Sequence, residues 1–200
     1  MKLNIILFFL SFVFFTSSAY AHTFTGMVGF YDGLSHPVLG IDHFLAMVSV
    51  GIVSAQIGGR AIWTIPATFV LMMIVGGIIG MLVEVFFFDL ETLVFYVVEF
   101  GIVFSVILLG LAIAIERKIS TNIIMIFISI FGMCHGLAHG MEMPWAVNPI
   151  LFALGFASGT ATLHLFGVGI GSLAIKTKFS SIVLRIVGFG CALFGFSLLI

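Results

Sequence analysis

Residues 62–87 read IWTIPATFVLMMIVGGIIGMLVEVFF. One ionisable side chain interrupts this run, Glu84, whereas a helix crosses a bilayer on about 20 predominantly apolar residues. The stretch is long enough to span the hydrocarbon layer and has no polar face with which to lie on a water-soluble domain. The same texture recurs over residues 37–57, 93–115, 122–141, 150–175 and 181–200. Short polar breaks separate the runs: Gly58-Gly59-Arg60, Asp89-Leu90-Glu91, Glu116-Arg117-Lys118, Met143-Pro144-Trp145 through Pro149, and Lys176-Thr177-Lys178. No soluble domain fits between them.

The whole-chain composition agrees. Hydrophobic residues make up 62% and charged residues 8%, against roughly 25% charged in a soluble domain, and the mean hydropathy is +1.36. The net charge of -1 excludes the basic footprint of a nucleic-acid partner. Cys134 and Cys191 both lie inside apolar runs, so they read as structural thiols rather than a disulfide framework.

The first residues have a different purpose. Lys2, the apolar stretch Ile5 to Phe15 and the small-residue signal Ala19-Tyr20-Ala21 form the three regions of a secretory signal peptide. Cleavage after Ala21 would make His22 the new N-terminus, where an α-amine beside an imidazole can chelate a divalent metal. The expected fold is an all-α membrane protein: a signal peptide over residues 1–21, cleaved, followed by a six-transmembrane-helix bundle over residues 22–200.

Orientation follows from charge. With the mature N-terminus periplasmic, Arg60, Arg117, Lys118, Lys176 and Lys178 fall in cytoplasmic loops and Arg185 near the inner end of the last helix. This satisfies the positive-inside rule and places both termini outside the inner membrane. The acids and histidines then sort to the other side. Asp32, Asp89, Glu91 and Glu142 fall at the outer boundary, Glu84 and Glu99 in outer helix halves, His36 and His43 at the start of the first helix, and His135 and His139 at the end of the fourth. His164 sits within the fifth. Ionisable groups inside a bilayer cost about 2.5–3.5 kcal/mol on insertion scales and ordinarily face the bundle interior.

Two motifs concentrate these groups. In His36-Pro37-Val38-Leu39-Gly40-Ile41-Asp42-His43, Pro37 suits a first helical turn, and the seven-residue separation puts both histidines on one face of a continuous helix. Asp42 points elsewhere, where it contacts another helix or orients a ligand histidine. In His135-Gly136-Leu137-Ala138-His139-Gly140-Met141-Glu142, the i, i+4, i+7 spacing aligns His135, His139 and Glu142 on one stripe. Imidazole suits nickel, cobalt, zinc or copper, and a carboxylate completes the site or orients a ligand histidine. A lone membrane histidine such as His164 is more simply an interhelical hydrogen-bonding group, and Glu84 and Glu99 read equally well as pathway carboxylates or as protonated packing residues. Met47, Met141 and Met143 offer thioethers, although methionine in such helices is mainly packing. Gly132, Gly136 and Gly140, the pair Gly155 and Gly159, and Gly76-Gly77 with Gly80 are small-residue ridges for close helix approach. No Walker-type phosphate loop is present.

At the two motifs the sequence resembles the HupE/UreJ family, whose pattern pairs H-x5-D-H in the first mature helix with H-G-x-A/V-H-G-x-E in a later one. His36, Asp42 and His43 match the first element, and His135, Gly136, Ala138, His139, Gly140 and Glu142 the second. Cys134 stands where the family commonly has phenylalanine. The resemblance extends over essentially the whole chain and implies a nickel or cobalt permease rather than an enzyme. Such a protein carries no prosthetic group, takes the metal ion and the lipid bilayer as partners, and serves cytoplasmic metalloenzyme maturation proteins only indirectly. The metal residues expected on this basis are His36, Asp42, His43, His135, His139 and Glu142, with His22, His164, Glu84 and Glu99 as possible additions. The competing readings are an intramembrane zinc-dependent hydrolase acting on lipid and a bis-histidine haem protein.

Overall fold

The computed structural model describes residues 29–86, 88–115, 120–143 and 147–199, with the backbone alone at 88–91. The expected signal peptide, His22, and the Glu116-Arg117-Lys118 break lie outside the described residues. Within them the chain is all-helical. Seven helices follow one another: α1 (Phe30–Leu39), α2 (Ile41–Ile57), α3 (Ala61–Phe86), α4 (Phe88–Ile115), α5 (Thr121–Met141), α6 (Pro149–Ala174) and α7 (Lys178–Ser197). The last five each carry a span long and apolar enough to cross a membrane, and α1 with α2 makes a sixth when the bent pair is taken as one.

That bend changes the expected first span. Instead of one helix over residues 37–57, the chain turns by 87° between α1 and α2, pivoting at Gly40, whose backbone is extended. Pro37 stands inside α1, two residues before its end, rather than in the first turn of a longer helix. The other runs match their helices to within a few residues. The one difference is at Asp89-Leu90-Glu91, which belongs to α4 and not to a break. Acidic residues in a first helical turn meet the positive end of the helix dipole and favour a helix start.

Glycines decide which helices touch. A Cβ on Gly136 would overlap the Met73 carbonyl oxygen, and one on Gly140 the Gly77 carbonyl oxygen, so α3 and α5 run backbone against backbone. Gly33 and Gly155 serve α1 against α6 in the same way, and Gly51 and Gly167 serve α2 against α6. With lipid as apolar as any side chain, such close packing is what drives helices together. The core is built from Ala46, Met47, Val50, Ile65, Phe69, Met73, Val106 and Ile128, while Trp63, Leu71, Phe86, Tyr96 and Ile150 face outward. Asn148 starts α6: its side-chain oxygen accepts from Ile150 N–H at 3.0 Å and Leu151 N–H at 3.2 Å, ahead of Pro149 at the first helical position.

Chain direction then polarises the bundle. The α1–α2 bend, the end of α5 and the start of α6 share one end. Arg60 after α2, Lys176 after α6 and Lys178 at the start of α7 share the other.

Candidate metal centre

The bend between α1 and α2 brings the first motif to the second. His36 closes α1 and His43 opens α2, so the two rings approach α5 from different directions instead of from one helical face. On α5, His135 and His139 project one turn apart. Glycines on the neighbouring stripe hold α3 against that helix, and the histidine stripe meets side chains of α1, α2 and α6, with Phe69 of α3 against His135. The His36 ring lies 4.4 Å from that of His139, His43 lies 4.6 Å from His139, and His43 lies 5.3 Å from His135, all between centroids. Glu142, the residue that ends α5, sets its Oε2 at 4.0 Å from His36 Nε2 and 3.7 Å from His139 Nδ1.

His36, His139 and Glu142 each offer one ligand atom within 4.8 Å of the others. Divalent metals hold nitrogen and oxygen ligands at about 2.1 Å, which keeps opposed ligands within about 4.2 Å of each other. Closing the observed triangle by about half an ångström would let it hold one ion.

The other two histidines are oriented by their neighbours. Asp42 Oδ1 accepts from the His43 backbone N–H and from His43 Nδ1, both at 2.9 Å. His135 Nδ1 donates to the Phe131 carbonyl oxygen at 2.8 Å. Each acceptor fixes the proton on Nδ1 and leaves the Nε2 lone pair for a ligand, as in metal sites where a second group sets the histidine tautomer. Neither Nε2 has a hydrogen-bond partner among the described residues, and neither do both ring nitrogens of His139. An unsatisfied buried polar atom costs about 1–3 kcal/mol, so these groups are arranged for something other than the packed helices. Side-chain exposure falls in order from Glu142 at 39% through His36 at 21% and His43 at 13% to His139 at 3%, and His135 is fully buried.

The remaining candidates divide. Glu99 on α4 lies within electrostatic reach of His43, Asp42 and Glu142. Glu84 is half-buried near the end of α3. His164 stands deeper on α6, and Asp89 and Glu91 belong to the start of α4, where their side chains are not described. Cys134 turns away from the histidines: its sulfur packs against Gly101 on α4. Met47, one turn past His43, is fully buried in the core. Three aromatic residues carried no signal in the sequence, because phenylalanine is common in every apolar run. Phe156 lies edge-on to His139 at 4.4 Å and 6.0 Å from His36, Phe152 lies 6.0 Å from His36, and Phe69 touches two histidines at once.

A comparison with known proteins decides the kinship. The family described as HupE / UreJ protein matches residues 10–198. The chain belongs to the HupE/UreJ family. It is similar to Protein HupE of Rhizobium leguminosarum bv. viciae, 36% identical over 184 residues, which cover 92% of this chain and 91% of the relative. No solved structure matches. Within the family pattern, the two histidine motifs are the residues that the helix bend and the end of α5 bring into one cluster.

Proposed function

We propose that this chain is an inner-membrane permease for divalent nickel or cobalt, which captures the ion at a periplasm-facing His/Asp/Glu site and passes it to the cytoplasm. The observation that carries this reading is the convergence of His36, His43, His135, His139 and Glu142, with burial deepening from Glu142 inward. A capture site needs an exposed carboxylate to attract a hydrated cation and progressively drier imidazoles to replace its water. Basic residues at the far end of the bundle support the periplasmic placement of the site by the positive-inside rule. The choice of metal follows what the resemblance of the two histidine motifs to the HupE/UreJ family implies, on imidazole ligands that suit both ions. Asp42 acts through His43, holding its ring so that Nε2 faces the cluster. Glu99 stands within electrostatic reach of the cluster, where a carboxylate facing the bundle interior suits a cation pathway.

Uptake into proteoliposomes tests the reading. Vesicles containing the purified protein and a trapped metal-sensitive dye should accumulate Ni2+ or Co2+, and His43→Ala and His139→Ala should abolish that uptake while the protein remains monodisperse. Equal uptake by the variants would remove these residues from the path. Uptake of neither ion by the unmodified protein would remove the permease reading itself.

A further inference from the structure

Beneath the outer cluster lies a histidine that the motifs do not include. His164 is on α6, fully buried, and neither of its ring nitrogens has a hydrogen-bond partner among the described residues. A histidine retained for interhelical bonding would have one. An apolar residue of similar size would fill the space without the cost of two desolvated nitrogens.

Its surroundings point to a ligand. The Phe69 ring stands edge-on between two imidazoles, 5.3 Å from His135 and 5.1 Å from His164, so one aromatic side chain separates His164 from the innermost outer histidine. One turn further along α3 from Phe69 is Met73, and one turn before His164 on α6 is Thr160. The Thr160 hydroxyl lies 3.6 Å from the Met73 sulfur, and both side chains are buried. A buried thioether and a buried hydroxyl therefore pair between α3 and α6 one turn from the level of Phe69 and His164. The borderline imidazole and the soft thioether suit a late first-row transition ion and not magnesium or calcium.

We infer that His164, with Met73 and Thr160 as weak supporting donors, is a second and transient station for the metal ion, reached from His135 by displacement of the Phe69 ring. The inference rests on the reading of the outer histidines as a metal site. One strong ligand with weak companions suits a conduction step, in which an ion must bind well enough to enter and loosely enough to leave. The carboxylate and the several imidazoles of the outer cluster would hold it longer.

Cobalt and nickel separate this inference from the reading beneath it. Titrating the full-length protein with Co2+ and following its visible absorption should give a tight class of sites and a second, weaker one. His164→Gln should remove the weaker class, leave the tight class unchanged, and lower Ni2+ and Co2+ uptake into proteoliposomes by about tenfold or more, since losing even a partner of a ligand costs about 10- to 100-fold. His164→Cys, which restores a soft donor, should recover part of the uptake. A single class of sites in the unmodified protein overturns the inner station, as does wild-type uptake by His164→Gln. Absence of both classes from the unmodified protein would overturn the outer site and, with it, this inference.

Discussion

One carboxylate oxygen of Asp42 lies 2.9 Å from both the backbone N–H and the Nδ1 of the next residue, His43. The aspartate thereby fixes both the ring rotation and the proton position of its neighbour, and leaves His43 Nε2 buried and without a hydrogen-bond partner among the described residues, on a ring 4.6 Å from that of His139. This makes Asp42 a positioning residue. Asp42→Ala should weaken Co2+ affinity about 10- to 100-fold, the usual cost of removing a partner of a ligand histidine. Asp42→Asn, whose amide oxygen can still accept from Nδ1, should fall between. Equal affinity in all three proteins, measured by cobalt absorption titration, would show that His43 needs no support.

His139 is the hinge of the outer cluster, with His36 at 4.4 Å on one side and His43 at 4.6 Å on the other. His36 is more exposed and also faces the rim carboxylate of Glu142. The two alanine variants should therefore differ: about 100-fold or more in Co2+ affinity for His139→Ala against about tenfold for His36→Ala. Reversal of that order would place the ion nearer the surface than the geometry puts it.

Glycine on α5 supports the site from behind. Alanine at Gly136 would drive its Cβ into the Met73 carbonyl oxygen and to 2.8 Å from the Gly77 nitrogen, and backbone atoms cannot rotate away. Gly136→Ala should destabilise the protein by about 1–3 kcal/mol, as overpacking does, read as a lower Tm in detergent. Gly190 on α7 has nothing within 4 Å of its would-be Cβ, so Gly190→Ala is the matched control and should leave Tm unchanged or slightly raised.

Much of this arrangement was legible in the sequence. Continuous apolar runs marked α3, α5, α6 and α7 because a bilayer demands a length that the residue count alone can check. On α5, His139 and Glu142 stand 3.7 Å apart, Glu142 capping the helix end. Spacing misled at His36 and His43. Seven residues fit two turns of a straight helix, and the extended backbone at Gly40 that breaks the helix leaves no trace in hydropathy. Asp89 and Glu91 misled for the opposite reason, since charge marks a helix start as readily as a loop. The placement of Phe69 between His135 and His164 was invisible, because contact between α3, α5 and α6 is a property of packing and not of any local pattern.

Gly40 supplies the sharpest check on the bent geometry. Its φ of -89° and ψ of 122° are open to any residue, so the glycine is not needed for its backbone conformation. What it provides is room: a Cβ there would sit 3.0 Å from both Asp42 Oδ1 and His43 Nδ1, the two atoms whose bond orients the His43 ring. Gly40→Ala should therefore leave the fold and Tm nearly unchanged while pushing the pair apart and weakening Co2+ affinity by about tenfold, the lower end of what a displaced ligand partner costs. Combined with Asp42→Ala, it should add little, since both changes act on the same bond and coupled residues are not additive. If the two losses instead add in full, Gly40 acts on the site by a route other than the Asp42–His43 pair.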